Sequence, residues 1–440
     1  MADFSIASST QFFIKKLEIV SKFGKPTQVS SIFEELNIFD SVLTPCMSGN
    51  IVLKDSVGLS NKLLFDGSEF LVVEILKDKK SEVINISKTF RIYKQSDRKN
   101  LNQTTEAYIL HFASEELIYS EQQKVSQSYT GSYSDVAKSV LINYLKVPND
   151  KIGIIEASKG THSCVVPLLS PIDTMNWLVR RTVSQNDTAD YLFFENKIGF
   201  NFISLNKLFK ENSIFTINFS PKNISPNIDK EFLGVRDYNM KTSFDILENT
   251  KNGYYANRFI GFDVLTRTLI ESDLGFKNHY KGKHLNANPN IFVSNNRENK
   301  DAGLMPLSKV CLYPFQLTRR NQDYIKANDT NKSKLIDETH KYIPQRKAIL
   351  YNLLQKRMNI SLPGNFGITS GFILNVQPHS FSVSTNKNEE IDKSFSGNYL
   401  IVATRHVIKP NKHETFCELA TDSQSNEVVQ NINARGVIRT

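Results

Sequence analysis

The chain has 440 residues and a mass of 50.1 kDa, and its 54 basic and 45 acidic side chains leave a formal charge of +9. Hydrophobic residues make up 40% and charged ones 22%, which describes a globular protein and excludes a disordered or fibrous one. No apolar run approaches the roughly 18 residues of a membrane helix, and Met1-Ala2-Asp3-Phe4-Ser5 has no basic region followed by an apolar stretch, so neither membrane insertion nor a secretory leader is expected.

The first 115 residues read as a mostly antiparallel sheet domain. Leu17 and Ile19 alternate with polar neighbours, as do Ile51 and Leu53 after an expected turn at Ser48-Gly49-Asn50. Leu71 to Leu76 is apolar apart from Glu74, and a two-residue period runs through Ile84, Ile86, Lys88, Phe90 and Ile92 and through Tyr108, Leu110 and Phe112. Period two packs one face and leaves the other wet or paired elsewhere. A short helix is expected to interrupt the strands at Ser31 to Ile38.

Residues 116–226 change period and suggest a small α/β domain. Val136, Ala137, Val140, Leu141, Tyr144 and Leu145 share a helical face, with Ser134 as the expected cap and Pro148 as the stop. Ser170-Pro171-Ile172-Asp173 supplies a hydroxyl cap, a proline in the first turn and an early carboxylate, a strong helix start. Tyr191 to Glu195 and Phe200 to Ser204 predict a hairpin around Asn196-Lys197-Ile198-Gly199.

A second sheet domain is expected over 227–262 and 345–422. In it Gln345 to Gln355 forms a helix with Ile349, Leu350, Leu353 and Leu354 inward. Strands follow at Met358 to Leu362, Phe372 to Val376, Tyr399 to Ile408 and Glu414 to Leu419, with a turn at Pro363-Gly364-Asn365. Residues 263–344 read as a basic, polar insertion and 423–440 as a tail, with the polar sequence from Thr421 onward expected to be loose. No internal repeat relates the two sheet domains.

Most of the excess charge sits in one place. Lys277 to Lys347 holds 14 Lys or Arg and 6 Asp or Glu, within the most Asn-rich part of the chain. Such a segment is either an electrostatic footprint for nucleic acid or an acidic partner, or a solvated insertion; its aromatics lack the spacing of a stacking platform, which favours the second. A peripheral position predicts that a Gly/Ser linker could replace Asn286 to Asn299 with little effect.

Signals for chemistry are absent. Cys46, Cys164, Cys311 and Cys417 are too far apart for a C-x-x-C site and read as buried, reduced thiols. There is no G-x-S-x-G elbow and no H-E-x-x-H helix. Gly275 to Lys283 has its glycines too far apart for a phosphate loop. His279 with His284 and His406 with His413 lack the further ligands a metal needs, so hydrogen-bonded or exposed imidazoles are expected. Glu115, Glu116, Asp237 and Asp263 show no paired-acid spacing. No enzyme, catalytic residue, cofactor or metal is expected.

Three co-linear stretches carry a resemblance. Phe39-Asp40-Ser41-Val42-Leu43-Thr44-Pro45 through Ser48-Gly49-Asn50-Ile51-Val52-Leu53-Lys54-Asp55 resembles the first sheet of baseplate hub proteins from contractile-tailed bacteriophages. Ser170-Pro171-Ile172-Asp173-Thr174 through Phe193-Phe194-Glu195 and Gly199-Phe200-Asn201-Phe202 is similar to that family's middle unit. Ser396-Gly397-Asn398-Tyr399-Leu400-Ile401 through Thr415-Phe416-Cys417-Glu418-Leu419 resembles its closing hairpin. Order and spacing match over roughly residues 10 to 422.

The resemblance implies an α+β, mostly antiparallel β fold: two β-barrel tube-like domains, a small α/β unit and a polar insertion, closing into a homotrimeric ring. In the family, which is related to the hub part of type VI secretion spike proteins, the ring adapts a sixfold tail tube to a threefold puncturing spike and passes the genome. The implied partners are a spike protein, expected to be a separate polypeptide, tail tube or tube-initiator proteins and baseplate wedge proteins. Phage DNA would cross the lumen without sequence-specific binding. The implied location is the virion tail baseplate, assembled in the host cytoplasm. The alternative is a nucleic-acid-binding protein built on residues 277–347.

Overall fold

A computed structural model of the chain describes residues 12–22, 24–63, 65–76, 84–218, 235, 237–242, 245–254, 256–263, 268–275, 284–286, 288–289, 309–314, 339–378, 392 and 394–424. Period-two patterning builds its first region: β1 (Phe13–Val20), β2 (Pro26–Gln28), β3 (Phe33–Ser41), β4 (Ser48–Asp55), the short helix α1 (Leu59–Leu63), β5 (Phe70–Leu76), β6 (Ile84–Asn100) and β7 (Glu106–Ala113). Leu17, Ile19, Leu36, Ile38, Ile51, Leu53, Leu71, Val73, Phe90, Leu110 and Phe112 point to one side and form a core from which water is excluded.

Two expectations fail here. The helix expected over 31–38 is mostly strand β3, because Leu36 and Ile38 turn inward at period two and the backbone finds partners in β4 and in a strand from the far end of the chain. The turn expected at Ser48-Gly49-Asn50 is the opening of β4. Gly49 is required there sterically: a Cβ would lie 2.2 Å from the Asn37 carbonyl oxygen and 2.4 Å from the Phe112 ring.

The middle region comprises α2 (Glu115–Glu121), β8 (Ser128–Gly131), α3 (Tyr133–Asn143), a 3-10 turn at Asn149–Lys151, β9 (Ile152–Ile155), β10 (His162–Val165), α4 (Pro171–Val179), β11 (Tyr191–Asn196), β12 (Gly199–Ser204) and α5 (Leu205–Leu208). The predicted hairpin is β11–β12, and β9 joins β12 in parallel. Helices α3 and α4 bury Val136, Val140, Leu141, Met175 and Leu178 against its Tyr191, Phe193, Phe200 and Phe202. Ser170 caps α4 as expected, accepting from the Asp173 amide at 3.2 Å. Helix α3 is capped by Ser132 instead of Ser134; Ser134 exchanges hydrogen bonds with Ser158.

The last region contains β13 (Phe215–Asn218), β14 (Asp237–Thr242), α6 (Ile246–Lys251), β15 (Ala256–Asp263), β16 (Thr268–Gly275), β17 (Asn288–Pro289), β18 (Lys309–Pro314), α7 (Thr339–Leu353), β19 (Lys356–Pro363), β20 (Ile373–Gln377), β21 (Gly397–Lys409), β22 (Lys412–Thr421) and β23 (Ser423–Gln424). Helix α7 starts six residues before the predicted Gln345 and carries Pro344 within it, while Ile349 and Leu353 face the core as expected. The sequence from Thr421 is not loose at once: Asp422 and Ser423 are buried and β23 pairs with β17, while the rest of the tail lies outside the described residues.

Strands β16-β15-β18 and β17-β23 form separate small sheets, while all of the first region's strands join β13, β14, β19, β20, β21 and β22 of the last in one 13-stranded sheet. Its main path runs β14-β19-β22-β21-β3-β4-β7-β6-β5-β1-β2, with β20 and β13 attached beside β21. The junction is β3 against β21, Leu36–Ser41 opposite Ala403–Ile408. Pairing is antiparallel throughout except β9–β12, β13–β20 and β15–β18. No described helix is long and apolar enough to cross a membrane.

Candidate functional site

The strands around the β3–β21 seam use one face for the core and leave the other polar. Register aligns Asp237, Ser361, Phe416, Arg405, Phe39 and Ser48 in one cross-strand row. The next row is Asn239, Asn359, Glu418, Ala403 and Ser41. Together they line a shallow groove of about 370 Å³ on the outer face.

Charges of both signs are interspersed on this face. Arg405 Nε donates to Asn37 Oδ1 at 3.0 Å, and its guanidinium lies 5.8 Å from the Phe39 ring centre. Lys409 reaches Glu35 at 3.3 Å, and Lys241 and Arg357 each reach Glu418 at 3.4 Å. Such partly exposed pairs add little stability. They do create a wide, wettable wall without a large field of one sign. The groove lining is mixed, with the hydroxyls of Ser41, Ser48 and Ser361, the carboxylates of Asp237 and Glu418 and the Arg405 guanidinium beside the Phe39 and Phe416 rings.

Behind the seam lies a buried polar clasp. Glu195, at the end of β11, enters between the sheet and the α/β unit. Its Oε2 accepts from the Met47 amide at 2.9 Å and from Ser114 Oγ at 2.5 Å, and its Oε1 pairs with the Lys88 ammonium. Burial and the Glu195 charge raise the Glu116 carboxyl and the Cys46 thiol above their usual ranges. A second carboxylate, Asp40 on β3, accepts from the Thr369 hydroxyl and, at 3.1 Å, from the Ser370 amide; burial pushes it up to about 6. The same 364–371 loop holds the β11–β12 turn, since Asn196 Nδ2 donates to the Ser370 carbonyl at 2.9 Å and the Lys197 amide to Thr369 Oγ1 at 3.3 Å. Strand β3 and the β11–β12 hairpin therefore meet at the one loop between β19 and β20.

The histidines singled out by sequence sit in hydrogen bonds. His406 Nδ1 lies 3.1 Å from Thr415 Oγ1 and 3.3 Å from His413 Nε2, with the Phe366 ring against both imidazoles. Burial depresses His406 to about 4. His284 Nδ1 lies 2.8 Å from the buried Asp422 carboxylate. His279 falls outside the described residues, as does all of Gly275 to Lys283 except Gly275. Cys46 and Cys417 are buried, but Cys164 is only half-buried because strand β10 forms a two-stranded sheet with β8 alone; the Cys311 side chain is outside the described residues. Glu115 and Glu116 open α2, Asp237 lines the groove and Asp263 ends β15, so the four acids do not converge. Among the described residues no group of three or more His, Cys, Asp or Glu could hold a metal ion.

Most of the basic 277–347 segment also lies outside the described residues. Arg346 turns inward, donating to the Tyr191 carbonyl at 2.6 Å. The beginning of the segment is anchored: Leu285 is buried, and Asn286 Nδ2 donates to the Asn398 carbonyl and Thr421 Oγ1, both at 3.0 Å, while its Oδ1 accepts from the Asn398 amide at 2.8 Å. A wholly peripheral insertion does not describe residues 284–286, 288 and 289. Asp40, Glu195 and Asn286 were not marked by sequence. The available signal was a charge on the inward side of an apolar alternation, as at Asp40 between Ile38 and Val42.

No family model matches the chain. In fold it is similar to two proteins of phage and prophage tails. A tail protein from Neisseria meningitidis MC58 superposes with a TM-score of 0.51 at 10% identity, covering 92% of this chain and 96% of that one. The 43 kDa tail protein of prophage MuSo2 from Shewanella oneidensis gives 0.51 at 7% identity, covering 92% and 98%. In sequence the chain is 21% identical over 417 residues to the probable baseplate hub protein gp334 of Vibrio phage KVP40, covering 90% of this chain and 92% of that protein. The resemblance to phage baseplate hub proteins expected from residues 10 to 422 is thus met over nearly the whole chain.

Proposed function

We propose that the chain is a structural, non-catalytic hub of a phage tail baseplate, resident in the virion. Three copies close into a ring that adapts a sixfold tail tube to a threefold puncturing spike and leaves a channel for DNA. The observation that carries this reading is the near-full-length similarity to a probable baseplate hub protein. Two sheet-rich regions fused at β3–β21 offer each copy two wall segments, so three copies supply six. A cyclic, head-to-tail closure covers sheet edges without a two-fold axis. The polar outer face, with charges of both signs, suits a wet wall past which DNA slides without sequence-specific contacts. Spike, tube or tube-initiator and wedge proteins are the partners this role requires.

Native mass spectrometry or sedimentation tests the reading. The expected species is three times 50.1 kDa, or a monomer that trimerises when a spike or tube partner is added. A stable dimer, or a monomer that recruits neither partner, refutes it.

A further inference from the structure

The seam contains a carboxylate without a counter-ion. Asp40 is 3% exposed, and among the described residues no Lys, Arg or His comes within ion-pair distance of it. Lys88 acts on it through space, but that ammonium is already engaged by Glu195. Oδ2 of Asp40 takes the hydrogen bonds from the Thr369 hydroxyl and the Ser370 amide, and the Ser370 hydroxyl lies near enough to act on the same carboxylate. Asp40 Oδ1, Ser370 Oγ and Thr404 Oγ1 are all buried and make no hydrogen bond of good geometry. Ser370 is 0% and Thr404 3% exposed.

The three residues that carry these oxygens are neighbours. Asp40 and Thr404 are directly opposed across β3 and β21, so their side chains share a face with Cβ atoms about 5 Å apart. Ser370 presents its amide to the same carboxylate at 3.1 Å. An unpaired buried charge and unmet hydroxyls are both expensive. Two neutral hydroxyl oxygens and one carboxylate oxygen form a hard, oxygen-only donor set carrying a single negative charge.

We propose that Asp40, Ser370 and Thr404 bind a monovalent alkali cation, Na⁺ or K⁺, at the junction of β3, β21 and the 364–371 loop. One positive charge balances one carboxylate, whereas a divalent ion would leave a net positive charge buried at the seam; backbone carbonyls or waters would complete the shell of a monovalent one. The ion ties together three elements that are distant in sequence, so its binding energy becomes stability of the seam. The groove on the opposite side of the same strands is also lined by Asp40 and Thr404, which brings solvent within one strand's thickness of the site.

The test is the melting temperature of the full chain at pH 7.5 in NaCl, KCl or N-methyl-D-glucamine chloride at equal ionic strength. The expected result is a saturable rise of a few degrees with Na⁺ or K⁺ over the organic cation. Asp40→Asn should abolish the rise, and Ser370→Ala and Thr404→Val should each weaken it; these two carry the test if Asp40→Asn does not fold. Crystals soaked in thallium acetate should show an anomalous peak between the three oxygens. Equal melting in all three salts, a rise that survives the substitutions, or a response to Ca²⁺ alone overturns the proposal and leaves an ordered water or a protonated Asp40 in its place. The readout uses no partner and no ring, so it stands or falls apart from the hub reading.

Discussion

At the scale of single residues, the clasp matters because its charges are dry. Glu195 and Lys88 have side chains only 4% and 17% exposed, and the Glu195 carboxylate also holds the Met47 amide and the Ser114 hydroxyl. Glu195→Ala leaves three buried donors unmet and should cost about 3 kcal/mol, read from the urea midpoint; Glu195→Gln keeps an acceptor and should cost less. His406 gives a pH dependence with a definite sign. Its imidazole falls from 6.5 to about 4 on burial, with the Lys197 charge acting in the same direction. Between those values the unfolded chain binds a proton that the folded chain refuses, so this residue's contribution is full above pH 6.5 and is lost as pH drops towards 4, by about 3 kcal/mol in all. Asp40 works in the opposite sense, because its raised carboxyl takes up a proton in the fold first. The His406 effect is therefore the difference between the stability curves of the native chain and of His406→Gln, which should diverge only below about pH 6.5. Parallel curves would show that His406 is not a neutral, buried group.

At the scale of elements, legibility followed locality. β5, β7, β19 and β22 alternate in burial along most of their length, β21 opens on the apolar run Tyr399 to Ala403, and the Ser170 cap and the β11–β12 turn are spelled out in a few adjacent residues; all were readable. β3 was not, since it is held by β21 from the opposite end of the chain. Gly49 was misread for a related reason: its meaning lies in the Phe112 ring across the sheet, not in its own neighbours. Gly49→Ala should therefore destabilise the chain by about 2 kcal/mol, as overpacking does, with a lowered thermal midpoint as the readout. The strap at 284–289 was hidden in a segment whose polarity suggested solvent. Asn286 uses both ends of its amide to bind β21 and the end of β22, and its backbone amide donates to Ser423 Oγ at 2.7 Å. Asn286→Ala should cost about 2 kcal/mol through unmet buried partners. A Gly/Ser linker in place of 286–299 should lower the midpoint comparably, and one that spares 284–289 should restore it; an unchanged midpoint in both would return the strap to a peripheral role.

At the scale of the whole molecule, one sheet runs through both halves, and its two ends are where the proposed ring would be tested. Among the described residues β14 is the terminal strand on one side, its residues alternating between exposed and half-buried, with Asp237 at the rim of the polar groove. Edges of this kind are covered in working assemblies. In a ring, β14 and the groove beside it are natural places for a neighbour to approach, and a change of charge there should act on assembly more than on the fold. Lys138, exposed on α3 in the α/β unit, offers a matched control. Asp237→Lys and Lys138→Glu should each leave the stability of an isolated chain within about 0.5 kcal/mol of the parent, as surface substitutions usually do. On the proposed hub reading, Asp237→Lys should shift the population in native mass spectrometry from trimer to monomer, or raise the amount of spike or tube partner needed to form the trimer, while Lys138→Glu should match the parent. If both variants assemble like the parent, the groove edge lies outside the interface and faces the lumen or solvent. If Lys138→Glu alone disrupts the trimer, the contact runs through the α/β unit and the sheet edge must be covered by another protein of the baseplate.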